Sequence, residues 1–156
     1  MSRGQEFSRS VQATEKAEFA GGRYAIFFNP EKWKSEKSEE TGRLTWKHRN
    51  GDGYALIISE RLQIPLETLR KIALNNAKEA APDVKITLEE KRQVNGREVL
   101  CLQMKGTIQG IIFVYFGYYY SGKEGAVQIL TYTAENLFEE YQSDFEEFLN
   151  GFEVVG

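Results

Sequence analysis

Cysteine, histidine and proline are scarce: one Cys, one His and three Pro occur in 156 residues. A lone thiol, Cys101, excludes an internal disulfide and any cysteine-rich zinc site. A lone imidazole, His48, excludes a multi-histidine metal centre. No Gly-x-Ser-x-Gly elbow, Gly-x-x-x-x-Gly-Lys-Ser/Thr loop or His-Glu-x-x-His helix occurs, so the usual nucleophile, phosphate-cradle and zinc-hydrolase signatures are missing. No cofactor and no metal are expected. Basic charge is also short: the net charge is −3, with no Lys/Arg stripe. Phosphate neutralisation supplies most nucleic-acid affinity, so that class of partner is excluded. Nor does any apolar run reach membrane-spanning length. The longest, Ile111 to Tyr120, is short and contains Gly117.

Aromatic side chains, in contrast, are plentiful. Ten Phe, eight Tyr and two Trp demand a substantial buried core. The stretch 1–18 is polar and weakly periodic and is expected to be a flexible tail, with one domain over 19–156. Tyr24 to Phe28 reads as a strand ended by Asn29-Pro30, and 34–41 as a charged, Ser-rich loop. Arg43 to His48 and Tyr54 to Ser59 form a hairpin across Asn50-Gly51-Asp52-Gly53. Pro65 starts a helix carrying Leu66, Leu69, Ile72, Ala73 and Ala77 at helical spacing, and Pro82 stops it. Four strands follow, 84–94, 97–108, 111–120 and 125–133, the first two joined by Asn95-Gly96, a strong type I′ turn signal. A last helix, 135–150, has the apolar stripe Leu137, Phe138, Tyr141, Phe145, Phe148 and Leu149.

In Ile111 to Phe116 both alternating faces are apolar, and Val99 to Leu102 behaves similarly. A half-exposed strand alternates apolar and polar residues, so these strands require cover on both sides. The fold class is therefore α+β: an antiparallel sheet of about six or seven strands sandwiched between helices.

Several residues are candidates for chemistry. His48 shares a strand face with Trp46 and Leu44 and reads as structural. Cys101, between Leu100 and Leu102, reads as a small buried hydrophobe. Asn50-Gly51-Asp52-Gly53 lacks the further oxygen ligands and closing glutamate of a calcium loop, so it reads as a turn. Glu139, Glu140, Asp144, Glu146 and Glu147 suit a solvated helix face. The most unusual cluster is Tyr115, Tyr118, Tyr119 and Tyr120. Tyr118 and Tyr120 share one face and Tyr119 takes the other. With Trp46, Tyr118 and Tyr120 form the candidate partner-binding set, core packing being the competing explanation.

The run Tyr24 to Trp33, a short strand leading into Pro30 and then Trp33, resembles the opening of the Mog1/PsbP-like superfamily. Val94 to Arg97 is similar to that group's mid-domain hairpin. Tyr115 to Tyr120 with Gly125 to Thr131 resembles its paired long strands, and Phe145 to Phe152 its closing helix and Phe. The match spans Phe19 to Val155. It implies the same sheet between helices, and it implies no catalytic residues, since the group shares none. Its members include an extrinsic photosystem II subunit, a Ran-binding nuclear import factor, and bacterial envelope proteins and lipoproteins.

The functional expectation is a non-catalytic binding or assembly module of a bacterial envelope or exported protein. Its partner would be a protein or a small apolar ligand. The alternatives are a lipid or small-molecule pocket between sheet and helix, a cytoplasmic interaction factor, or an enzyme using carboxylates and tyrosine. Residues 1–16 carry no apolar signal stretch, which fits either a cytoplasmic protein or an exported one whose signal has been removed.

Overall fold

A computed structural model describes residues 5–36 and 42–155. In chain order the elements are β1 (Gln5–Phe7), β2 (Glu15–Phe19), β3 (Tyr24–Phe28), β4 (Trp33–Glu36), β5 (Arg43–His48), β6 (Tyr54–Glu60), α1 (Leu66–Ala80), β7 (Lys85–Val94), β8 (Arg97–Ile108), β9 (Ile111–Gly122), β10 (Gly125–Ala134), α2 (Glu135–Leu149) and β11 (Phe152–Val154). Eight strands make one sheet in the order β1-β7-β8-β9-β10-β6-β5-β4, and β11-β3-β2 make a second, smaller one. Every pairing is antiparallel except β1 with β7. Among the described residues, no helix is long and apolar enough to cross a membrane.

The two-faced strands are covered as their pattern requires. One face of the large sheet meets α1, where Leu69 and Ala73 pack on Leu100, Leu102, Tyr119 and Ala126. The other meets α2 and the small sheet together. Phe145, Phe148 and Leu149 of α2 join Tyr24, Ile26 and Phe152 of the small sheet over Val99, Cys101, Phe116, Tyr118 and Ile129. Each such side chain, fully buried, contributes roughly 1.5–3 kcal/mol. Only the start of β9 departs from the pattern. Ile111 and Ile112 are exposed, because the β8–β9 hairpin tip projects past both cover layers.

Three expectations are corrected. The stretch 1–18 is not a loose tail over its described part. β1 pairs with β7 through Gln5↔Arg92 and Phe7↔Val94, and β2 pairs with β3. Main-chain hydrogen bonds at a sheet edge need no side-chain periodicity, so polar residues can join a sheet unannounced. Within the expected loop 34–41, Lys34 to Glu36 belong to β4, an edge strand paired with β5, while 37–41 lie outside the described residues. The large sheet also has more strands than expected, and Tyr24 to Phe28 sits in the second sheet instead. β1, β4 and β11 are only three or four residues long, too short to show a period.

The Asn95-Gly96 hairpin forms as read, with φ of 48° and 83° at its two central residues, the signs a type I′ turn needs.

Candidate functional site

The large sheet and the small sheet splay apart at one end and leave an open cleft of about 800 Å³. Such a volume is typical of small-ligand sites. Alternation along the strands decides what lines it. Leu44 of β5 and Ile57 and Ser59 of β6 point toward the small sheet, and Phe19, at the end of β2, closes the opposite wall. The floor is therefore apolar. The rim carries Glu18, Arg23, Glu60, Arg61 and Leu62, and Leu62 is 71% exposed.

The turn joining β2 to β3 forms part of this rim. Ala20, Gly21 and Gly22 have φ of 55°, 68° and 82°. Two glycines tolerate that conformation freely, whereas at Ala20 it costs roughly 1–2 kcal/mol. The turn delivers Arg23 with its Nε inaccessible to solvent and without a hydrogen-bond partner. Behind it, the Tyr24 ring stacks on Phe19 at 5.4 Å, and the Tyr24 hydroxyl is also buried and unpartnered. Burial, and then the charges of Glu124 and Tyr120, push that phenol up to about 12.

The three residues proposed from sequence as a partner surface are brought together, but inside the molecule. Trp46, Tyr118 and Tyr120 are 1%, 1% and 6% exposed and share one core, so their side chains offer no contact patch. Trp46 packs edge-on against Phe28 and Phe148, at 5.7 and 5.1 Å. Tyr120 donates to Glu124 Oε1 at 2.8 Å and accepts from Arg97 at 3.3 Å. Tyr118 donates to Asn150 Oδ1 at 2.6 Å and accepts from Arg92 at 3.0 Å. Tyr119 takes the opposite face, under α1. Tyr115 leans on Tyr132, which stacks on Tyr54 at 5.3 Å.

His48 is buried between Trp33 and Tyr141. Its Nδ1 accepts the Asn50 amide at 3.1 Å, and its Nε2 lies 2.8 Å from Asp144 Oδ2. The acceptor role of Nδ1 places the proton on Nε2, which donates to the carboxylate. Both ring nitrogens are thus committed, and the pair fastens the β5–β6 turn to α2. Asp52 lies in that turn, where its amide donates to the Tyr141 hydroxyl at 3.4 Å and its carbonyl accepts from Thr133 at 2.7 Å.

The acidic face of α2 is less solvated than its spacing suggests. Asp144 is held by His48, Glu146 by Arg92 at 2.9 Å, and Glu147 accepts from Ser10 at 2.8 Å. Arg92 was not singled out by sequence reasoning. It is nearly buried, bonds Glu90 at 2.7 Å as well, and lies over the Phe7 ring at 4.6 Å. One guanidinium so ties β7, β9, α2 and β1 together. Among the described residues, no three His, Cys, Asp or Glu side chains are grouped to hold a metal ion.

Cys101 is buried, and burial pushes its thiol up to about 12. Burial also raises Tyr118 and Tyr119. These groups stay protonated in the fold, while the unfolded chain releases its protons near pH 8.5–10. Their stabilisation is therefore complete below those unfolded values and is lost as pH rises toward the folded ones, at up to about 1.4 kcal/mol per pH unit for each group. Native protein at pH 8 is expected to resist Ellman's reagent at Cys101 until denaturant is added. An alkaline titration is expected to show tyrosinate absorbance rising together with loss of near-ultraviolet circular dichroism. Rapid labelling of the native thiol, or tyrosinate formation well before unfolding, contradicts the buried placement.

The cleft itself escaped the sequence reading. The signals available were Gly21-Gly22 beside Arg23 and the exposed Arg61-Leu62 pair, and neither reveals that β2 and β6 end at the same place. Solved structures with the same architecture exist. The cyanobacterial PsbP protein of Synechocystis sp. PCC 6803 aligns with a TM-score of 0.71 at 10% identity, covering 94% of this chain and 95% of that one. A point mutant of Mog1 aligns at 0.65 with 9% identity, covering 90% and 95%. LpqN of Mycobacterium tuberculosis, described as involved in cell envelope biogenesis, aligns at 0.55 with 7% identity, covering 91% and 90%. At such identities the likeness shows the fold, which is Mog1/PsbP-like α+β. No family model matches the chain, and no curated protein matches it in sequence.

Proposed function

We propose that this chain is a non-catalytic binding module that holds a small ligand in the cleft between its two sheets. The observation that carries the reading is the cleft's construction: an apolar floor of Phe19, Leu44 and Ile57 under a charged rim. Apolar surface left open at that size, with a few polar groups converging on it, is what ligand sites have in common. The expected pocket between sheet and helix becomes a pocket between sheet and sheet, because α2 is packed flush by its own aromatic stripe. Against catalysis stands the state of the likeliest actors: His48 has both nitrogens engaged, and Cys101 is buried and protonated.

A bacterial cell-envelope setting is part of the proposal, supported by the fold shared with LpqN and with cyanobacterial PsbP. Fractionation of the source cells tests it, and recovery from the cytosol alone refutes it. The binding test uses a neutral apolar fluorophore, N-phenyl-1-naphthylamine. Its fluorescence is expected to rise on titration with protein. Ser59→Trp, which fills the cleft from a half-buried position, is expected to weaken binding at least about tenfold, given that good packing of one side chain is worth 1–3 kcal/mol. Equal binding by the wild type and a folded Ser59→Trp variant places the dye elsewhere and sinks the reading.

A further inference from the structure

The charges around the cleft do not cancel, and their imbalance defines a ligand. Glu18 is paired with Lys16 at 3.2 Å. Arg43 lines the cleft, but it alternates with Leu44, so its side chain points to the other face of the sheet, where its charge acts on Tyr132. Arg23, Glu60 and Arg61 remain, and none of the three has an ion pair among the described residues. Two cations against one carboxylate leave a single uncompensated positive charge.

Arg23 is the more telling of the two. Its Nε is shielded from water and donates to nothing in the protein. A buried donor without an acceptor is destabilising, and the guanidinium suits planar carboxylates because it can bond both oxygens. The acceptor that Arg23 lacks is therefore one that a ligand brings. Beside that charge the floor of Phe19, Leu44 and Ile57 accepts only hydrocarbon. Leu62, largely exposed on the rim, stands where a chain entering the cleft would cover it.

Resting on the binding reading above, we infer that the cleft takes a monoanionic amphiphile, a straight-chain carboxylate whose head meets Arg23 and Arg61 and whose tail lies on Phe19, Leu44 and Ile57. Glu60 then sets the valence, because a dianionic head would meet an uncompensated carboxylate at the rim.

Calorimetric titration with decanoate, 1-decanol, decyltrimethylammonium and decyl phosphate tests this on the full chain, alongside the neutral dye. Decanoate is expected to bind at least tenfold more tightly than 1-decanol and no more weakly than decyl phosphate, with no binding of the cation. The variant Arg23→Met/Arg61→Met is expected to erase the preference for decanoate over decanol while still binding the dye. Its thermal unfolding is expected at an equal or higher temperature, since a buried unsatisfied donor has been removed. Dye binding with equal affinities for decanoate and decanol overturns the ligand class and leaves the cleft reading standing, as does tighter binding of decyl phosphate. So does an unchanged preference in the folded double variant. Absence of dye binding by the wild type overturns both.

Discussion

Replacing Gly151 by alanine lowers the unfolding free energy by about 4 kcal/mol or more, enough to deplete the folded state of a domain of ordinary stability. A Cβ built on Gly151 falls 1.8 Å from the Phe27 carbonyl oxygen and 2.8 Å from its carbonyl carbon. Both are backbone atoms of a strand interior, which cannot swing aside as a side chain can. The contact exists because the Phe27 amide donates to the Gly151 carbonyl at 2.8 Å, drawing the end of α2 onto the middle of β3. Relieving the clash means separating β11 from β3, and with it Phe152 from Ile26, its register partner. Phe152 is fully buried and packs 6.0 Å from Tyr24 and 5.7 Å from Tyr120. The loss is therefore not local. Urea unfolding measures it, and Gly110→Ala is the control. Gly110 sits at a hairpin tip where an added Cβ meets nothing within 4 Å, with φ of 80°, so only a left-handed strain of roughly 1–2 kcal/mol is expected there. Equal effects of the two substitutions exclude a close-approach role for Gly151.

The second large effect is at Asn95. Its Nδ2 donates to the carbonyls of Asn150 and Phe152, at 2.9 and 2.8 Å, and its Oδ1 accepts the Arg9 amide at 3.0 Å. Its own amide donates to Phe7 at 3.0 Å. One hairpin residue thus clamps the segment after β1 and both ends of the α2–β11 connection. Asn95→Ala removes three side-chain hydrogen bonds and places alanine at φ of 48°, a combined cost of about 3 kcal/mol. Asn95→Gly keeps the backbone conformation without strain and is expected to cost about 1 kcal/mol less. The difference between the two reads the strain, and the remainder reads the clamp. If Asn95→Gly is as stable as the wild type in chemical denaturation, the clamp contributes nothing. Hydrogen exchange supplies a second reading: amides of β1 and β11 are expected to lose protection in either variant before those of β8 and β9 do.

The long elements were legible because their residues repeat a period often enough to be counted. The helices at 66–80 and 135–149, the Asn95-Gly96 hairpin and the four long strands occur where spacing placed them. The apolar pattern on both faces of β8 and β9 was enough to require two cover layers. The short strands were not legible. β1, β4 and β11 hold their places by main-chain hydrogen bonds to strands far away in sequence, and a polar side-chain pattern neither requires nor forbids that.

The tyrosine cluster shows the same division from the side of function. Alternation correctly separated Tyr118 and Tyr120 from Tyr119. What covers each face is a matter of which distant elements arrive there. α2, Phe152 and Tyr24 arrive over Tyr118 and Tyr120, so residues that suited a partner surface became core. Arg92 reads in sequence as one more charge in Glu90-Lys91-Arg92. Only the approach of α2 and β1 makes it a buried hub.

By itself, then, the sequence determined the element types, the two-sided burial of the central strands and the absence of familiar catalytic signatures, because each of these is a local or periodic property. The tertiary structure alone decided that a second sheet exists, that its turn at Ala20–Gly22 overhangs β5 and β6, and that Arg23 and Arg61 meet over Phe19, Leu44 and Ile57. Those residues are separated by up to some forty positions in the chain, and no pattern within either segment encodes their meeting. It is set by which sheet each strand joins, and that depends on the whole molecule closing around its aromatic core.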